Sequence, residues 1–371
     1  MTILFFIIPL FLCYSILILY YWRSWKTIPD FIVSNQIPLI RISVIIPARN
    51  EEENIAELLK ALLGQTYPKN LFEIIVIDDH STDKTVEIVT RFPEVKLLQL
   101  KDDAINSYKK KAIEKGIAAA SGELIVTSDA DCIPPSTWLK NIASFKAKTS
   151  AGFIVAPVVF ECNNQPVQVF QALDFMVLQG ITGASVHKKL LSMCNGANLA
   201  YERQLFYDVD GFTGIDHIAS GDDMLLMHKI AKKYPGRIHY LKSADAIVST
   251  QPMSTWKHFF NQRIRWASKA THYDDKKIFW VLLLVYLFNF SFLVLLVAGF
   301  WLTVYWFVLA GLWISKTIVE LPFINSVARF FDKRALLKYY FFFQPLHIFY
   351  TLLSGLLGQV GKYEWKGRMV R

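Results

Sequence analysis

Long runs without a single charged residue constrain this chain more than any motif in it. Residues 3–22 (ILFFIIPLFLCYSILILYYW) carry no charge and match the ~20 residues a helix needs to cross a bilayer. Residues 278–315 form a second charge-free stretch, long enough for two crossings with a turn near Gly299. A third apolar block, 339–360, follows the basic segment Arg329–Lys338, and Pro345 inside it permits either a full crossing or a broken, re-entrant element. A cleaved signal peptide is the competing reading of the first block. Against it, Met1 and Thr2 supply no basic n-region and no small-residue cleavage site follows.

The expected organisation follows from these blocks. It comprises an N-terminal transmembrane anchor (1–26), a water-soluble domain (35–250), an amphipathic interface helix (254–277), a transmembrane hairpin (278–320), a basic interfacial segment (321–338), a transmembrane or re-entrant segment (339–361) and a basic tail (362–371). Arg23 and Lys26 follow the first span, and Lys269, Lys276 and Lys277 precede the second. Because positive flanks stay inside, the soluble domain is predicted to face the cytoplasm of an integral inner- or plasma-membrane protein. Lys362, Lys366, Arg368 and Arg371 conflict with that orientation if the last block crosses completely.

The formal net charge of +9 does not point to nucleic acid, because the basic residues cluster beside apolar spans. Anionic lipid headgroups are the simpler partner. Cys13, Cys132, Cys162 and Cys194 lack CxxC spacing, which suggests neither a metal cage nor a disulfide framework and suits a reducing compartment.

Within 35–250, short β-branched runs alternate with helical patterns. Strands are predicted at 42–46, 73–78, 95–100 and 123–128, and helices at 51–63, 82–91 and 107–120. Alternation with nearly continuous apolar strands implies a parallel sheet covered on both faces. Ligands of such sheets bind beyond the carboxyl ends of the strands. That edge is where the polar motifs begin: "PARNEE" (47–52), "DDHSTD" (78–83) and "SDADC" (128–132). No GxGxxG or P-loop pattern is present, which argues against ordinary dinucleotide and P-loop readings.

Asp129 and Asp131 flank a small Ala130, so both carboxylates can reach one hard cation, Mg²⁺ or Mn²⁺. A capped turn is the alternative. Asp78 and Asp79 could accept hydrogen bonds from a base N–H and ribose hydroxyls, while Ser81, Thr82 and Asp83 read equally well as a helix start. On a helical wheel of 254–270, Trp256, Phe260, Ile264 and Ala267 share one arc, and Gln262, Arg265 and Trp266 project away from it. An interfacial helix would lay the first set on the membrane and aim the second toward a site. Arg263, near the apolar arc, is expected to snorkel to headgroups.

"SVIIPARNEEENI", "IIVIDDHSTDKT", "GELIVTSDADC", "SGDDMLL" and "QRIRW", in this order, resemble the membrane-bound members of glycosyltransferase family 2. The terminal "WKGR" (365–368) is similar to a short motif near the end of several such enzymes. The resemblance implies an α/β fold of GT-A type, a doubly wound, mostly parallel sheet with N-terminal and C-terminal transmembrane helices. It implies that Pro47, Asn50, Glu51, Asp79 and Asp78 hold the nucleoside of a nucleotide sugar, UDP-linked by family preference, and that Asp131 with Asp129 binds a divalent metal on the diphosphate. Lys111 stands where the family often has a donor-site lysine, with a solvated helix face as the alternative. Asp223 maps to the acceptor-deprotonating base, with Asp222 in support, although the family often has Glu at that first position. Asn198 and Arg203, in "CNGANLAYERQLF", resemble its acceptor-side loop, and Gln262, Arg265 and Trp266 its acceptor and diphosphate contacts.

The expected activity is inverting transfer of a hexose to a lipid or other membrane-associated hydroxyl. A processive polysaccharide synthase of the same family is the alternative, for which the few apolar segments offer little channel material. A noncatalytic partner subunit is a third reading. It sits poorly with retention of Asp79, Asp129, Asp131 and Asp223.

Overall fold

The computed structural model describes residues 2–33, 36–101, 106–190, 193–268, 276–358, 363–365 and 368–370. Lys269, Lys362, Lys366 and Arg371, used above for orientation, and the centre of "WKGR" lie outside the described residues. The chain divides into a helical unit, residues 1–28, 162–184 and 252–361, and an α/β unit, residues 29–161, 185–251 and 362–371. The predicted soluble domain is therefore not continuous: 162–184 belongs with the helices.

In chain order the elements begin with α1 (Thr2–Thr27), then β1 (Ile42–Ala48), α2 (Ile55–Leu63), β2 (Phe72–Asp78), α3 (Thr85–Thr90), β3 (Val95–Gln99), α4 (Tyr108–Ala118) and β4 (Leu124–Thr127). Next come β5 (Cys132–Ile133), α5 (Trp138–Lys148), β6 (Phe153–Val155), β7 (Val158–Phe160), α6 (Pro166–His187), β8 (Leu199–Glu202), α7 (Arg203–Asp208) and α8 (Met224–Lys233). The rest are β9 (Ile238–Tyr240), β10 (Val248–Thr250), α9 (Trp256–Ala267), α10 (Lys276–Ala298), α11 (Val304–Phe330), α12 (Tyr340–Leu357), β11 (Tyr363–Trp365) and β12 (Arg368–Val370).

The α/β unit is built on a seven-stranded sheet in the order β3-β2-β1-β4-β8-β6-β9. The strands β3, β2, β1 and β4 run parallel, whereas β8 is antiparallel to both β4 and β6. The buried run of β1 and the last five residues of β2 explain the near-continuous apolar pattern: both faces of these strands are covered. On one face α4 packs so closely that a Cβ on Gly116 would come within 2.7 Å of Ile45 and Ile77 side-chain carbons, so only glycine lets the helix sit at that depth. A second sheet pairs β5, β10 and β7. The chain's basic tail forms an antiparallel β11–β12 pair.

In the helical unit, the described residues contain five helices long and apolar enough to cross a membrane: 3–27, 166–187, 276–298, 304–330 and 334–357. α6 was not anticipated as one of them. Its side chains are mostly buried, including Gln171, Asp174, Gln179 and Thr182, and its lower hydropathy reflects those polar groups. α10 ends at Ala298 and α11 continues through Pro322 to Phe330, past the expected hairpin boundary at 320. α12 is continuous through Pro345.

Two polar networks lie inside this unit. Lys316 Nζ bonds Glu320 Oε1 at 2.7 Å and Gln344 Oε1 at 2.6 Å, while the Tyr14 and Tyr340 hydroxyls donate to the Glu320 carboxylate. Charges in an apolar surrounding persist when paired and fully hydrogen-bonded in this way. In the second, the Arg263 guanidinium donates to Asp174 Oδ2 at 2.8 Å and lies over the Trp266 ring at 4.2 Å, while Tyr350 donates to Asp174 Oδ1 at 2.5 Å.

This second network corrects the expectation for Arg263. It is buried instead of snorkelling to headgroups, because α9 turns Phe259 and Arg263 inward, one helical turn apart, against α6 and α12. Breaking the pair should therefore cost about 3–5 kcal/mol by stranding one buried charge. Arg263→Met and Asp174→Leu are each expected to lower the thermal midpoint in detergent, with the double substitution less damaging than the sum of the two.

Candidate active site

The carboxyl ends of β1, β2 and β4 deliver the three acidic motifs to one edge of the α/β unit, as strand direction requires. β1 and β2 run in register, so Ala48 lies opposite Asp78. The turn after β2 is tied to the turn after β1. Arg49 Nη1 donates to the carbonyls of Asp79 (2.7 Å) and His80 (2.9 Å), and Asn50 Oδ1 accepts from the Thr82 amide (2.8 Å). The Glu51 amide donates to Thr85 Oγ1 at 2.7 Å, and the Glu51 carboxylate accepts from Asn54 at 3.0 Å. Asp78 and Asp79 are buried; Asp78 accepts from the Ser81 amide at 3.2 Å, and Asp79 Oδ1 lies 3.0 Å from His80 Nδ1. Pro47 is half-buried in β1.

After β4 stand the half-buried Asp129 and Asp131. Lys109, in the first turn of α4, places its Nζ 2.7 Å from Asp129 Oδ1 and 3.4 Å from Asp222 Oδ2. Burial opposes the charge on Lys109, but the Asp129, Asp222 and Asp223 carboxylates outweigh it and raise its pKa. Next to Asp131, burial and the adjacent carboxylates push the Cys132 thiol up and keep it protonated, so this cysteine is no thiolate ligand.

Asp223 caps α8 as the helix-start reading anticipated, and it does so within the cluster. Its Oδ1 accepts from the Met224 amide at 2.7 Å and its Oδ2 from the Gly196 amide at 3.1 Å. One N–H on each oxygen fixes the carboxylate plane and leaves further lone pairs for a hydroxyl proton. A Cβ on Gly196 would lie 3.3 Å from Asp222 Oδ2, a tight contact, and 3.5 Å from Lys109 Nζ, an ordinary one, so the backbone here runs close against the acidic pair and the lysine.

The structure brings Asp129, Asp222 and Asp223 around Lys109, with Asp131 beside them in the chain. Lys111 is not in this group: its side chain is half exposed and pairs with Glu114 at 3.4 Å. Asn198 is fully buried and spent on the fold, accepting from Trp138 Nε1 (2.9 Å) and donating to the Pro157 and Ala246 carbonyls (2.8 Å each). Arg203 follows β8 and donates to the Ala120 carbonyl. Because β8 is antiparallel to β4, this puts Arg203 at the start of β4, the edge opposite Asp129. Gln262, Arg265 and Trp266 lie on α9 of the helical unit, where Gln262 Oε1 accepts from Arg263 at 3.3 Å.

Lys109, Gly196 and the loop-holding Lys110 were missed in the sequence. Helical phase could have found the lysines: Ala112, Ile113, Gly116 and Ile117 are the buried face of α4, and steps of three or four back from Ala112 and Ile113 reach Lys109, and a step of three back from Ile113 reaches Lys110. Lys110 is buried and donates to the carbonyls of Ile215 (2.7 Å), Ile218 (2.6 Å) and Ser220 (3.0 Å), just ahead of Asp222 and Asp223. Asn106 holds the His217 carbonyl at 2.6 Å from the same end of α4. Lys110→Met should leave buried acceptors unmet, at about 1–3 kcal/mol, and is expected to speed amide hydrogen exchange over 215–220 well before global unfolding.

A mostly parallel sheet with its polar motifs at the carboxyl edge is an architecture of GT-A type. Residues 43–210 match the sequence model of glycosyl transferase family 2. Over that segment the chain is thus similar to glycosyltransferase family 2. The chain is similar to the probable glycosyltransferase YdaM of Bacillus subtilis, 29% identical over 255 residues, covering 67% of this chain and 59% of that protein. It is also similar to beta-monoglucosyldiacylglycerol synthase of Nostoc sp., 31% identical over 117 residues, covering 30% of this chain and 25% of that protein. Among solved structures, the mannosyltransferase PcManGT of Pyrobaculum calidifontis, in complex with GDP-Man and Mn²⁺, superposes with a TM-score of 0.60 at 20% identity, covering 96% of this chain and 98% of that one. At that identity the likeness concerns the fold.

Proposed function

We propose that this chain is an inverting glycosyltransferase that moves a sugar, a UDP-linked hexose, onto a hydroxyl of a lipid or other membrane-associated acceptor at the cytoplasmic face. The observation that carries this reading is the gathering of Asp129, Asp222 and Asp223 around Lys109 at the carboxyl edge of the sheet. Asp79 and Asp78, with Pro47, Asn50 and Glu51, take the nucleoside. Asp223 accepts the proton of the acceptor hydroxyl as its oxygen attacks the anomeric carbon from the face opposite the nucleotide. Asp222, held by Lys109, stands beside Asp223 in support. Gln262, Arg265 and Trp266 are assigned to the acceptor and the departing diphosphate by the resemblance of their motif.

The donor set suits a divalent cation. Asp129 and Asp131 are hard oxygen ligands, and Asp129 Oδ1 is paired with the Lys109 ammonium in the structure. Mg²⁺ or Mn²⁺ held there would neutralise charge on the diphosphate leaving group. Among the described residues no group of three or more such ligands occurs. The lipid acceptor is supported by the apolar helices and by the similarity to a diacylglycerol-glycosylating enzyme.

Purified protein incubated with a panel of nucleotide sugars and total membrane lipid is expected to yield a lipid heavier by one hexose on mass spectrometry. A ladder of oligomers would replace the lipid reading with the polysaccharide synthase. Asp223→Ala should cut transfer by about 10²-fold or more, the ordinary worth of a general base, and Asp131→Ala should fall with it. Wild-type rates from both variants would overturn the catalytic assignment of Asp223 and Asp131, and no transfer from the wild-type protein would leave the noncatalytic reading standing.

A further inference from the structure

We propose that His80 and Tyr108 form the ring wall against which the nucleobase of the donor packs, making His80 a determinant of donor binding. The inference rests on the reading of the α/β unit as a nucleotide-sugar site and adds residues to it.

His80 has φ 54°, the left-handed region where a side chain is disfavoured and glycine is free. The backbone of the loop is also held by other groups. The Arg49 guanidinium holds the carbonyls of Asp79 and His80, and Asp78 accepts from the Ser81 amide, so glycine would follow the same path with less strain. A residue kept where the backbone opposes it points to use of its side chain.

Two contacts say what that use is. His80 Nδ1 lies 3.0 Å from Asp79 Oδ1, and its side chain is 28% exposed where that of Asp79 is 4% exposed. The imidazole thus orients the carboxylate and is the part of the pair that meets solvent. Its ring stands edge-on to Tyr108, with centroids 5.9 Å apart and planes at 86°. Tyr108 immediately precedes Lys109, whose Nζ is on Asp129. Asp79, the two rings and, one residue along α4, the lysine of the acidic cluster thus follow one another through contacts and chain. A nucleoside diphosphate needs the same order: an acceptor for a base N–H, a flat surface for the base, and a charged site for the diphosphate. Uracil N3–H and guanine N1–H both supply the donor that Asp79 requires, and either ring can pack on an imidazole or a phenol.

Titration calorimetry of the full chain with UDP, GDP and pyrophosphate, each with Mn²⁺, tests the proposal. His80→Gly and Tyr108→Ala are expected to weaken whichever nucleoside diphosphate the wild type binds by about tenfold, the usual worth of a lost base-stacking partner, with pyrophosphate affinity unchanged. The thermal midpoint of His80→Gly should equal or exceed that of the wild type, since the strained position is relieved. His80→Asn, which tolerates the same φ, should bind as weakly as His80→Gly. Unchanged nucleoside diphosphate affinity, or a parallel fall for pyrophosphate, overturns the proposal. Asp79→Asn separates the two levels: if it weakens UDP or GDP while the ring variants do not, only the wall is wrong, and if it has no effect either, the nucleotide reading fails and takes the wall with it.

Discussion

A single ammonium group lets the functional edge of the α/β unit exist. Parallel strands send their carboxyl ends the same way, so Asp129 after β4 arrives near Asp222 and Asp223 at the start of α8. Like charges so close repel and would drive one another toward protonation. Lys109 meets Asp129 and Asp222 at once, and its own raised pKa is the mirror of the charge it offsets. Gly196 completes the arrangement by contributing a backbone N–H to Asp223 without a side chain in the way.

The helical unit solves the opposite problem. There the surroundings are apolar, and a charge is retained when its partners come with it. Lys316 and Glu320 are one turn apart on α11 and are closed by Gln344 and Tyr340 from α12 and Tyr14 from α1. Arg263 and Asp174 come from α9 and α6 and are closed by Tyr350. Such networks demand one register between helices, because a slip of one residue would strand a charge. Directional bonds here supply the specificity that apolar packing alone lacks.

How legible all this was in the sequence depended on whether the signal was local. The β–α alternation reads directly because strand and helix periods differ, and the observed β1, β2, β3 and β4 fall within a residue or two of their predicted spans. Motifs that begin where strands end could be placed on one edge by strand direction alone. Asn198 and Arg203 could not be placed, because their fate rests on β8 running antiparallel to β4, a nonlocal pairing that no short pattern announces. Nor could the buried state of Arg263: it depends on an acid 89 positions earlier in the chain, on a helix whose polar residues disguised it as part of the soluble domain.

The three consecutive lysines of α4 show why residue type under-determines role. Each step along a helix turns the side chain by about 100°, so neighbours in sequence face different surroundings. Lys109 points into the acidic cluster, Lys110 into a cage of three carbonyls, and Lys111 outward to Glu114. Composition treats them as one basic patch, and alignment to a motif can slide among them freely. The buried alanine, isoleucine and glycine positions that follow are what break the tie, because they set the phase of the helix against the sheet. An apolar pattern thus sets Lys109 and Lys110 on the side of the helix that meets the rest of the domain and leaves Lys111 facing outward.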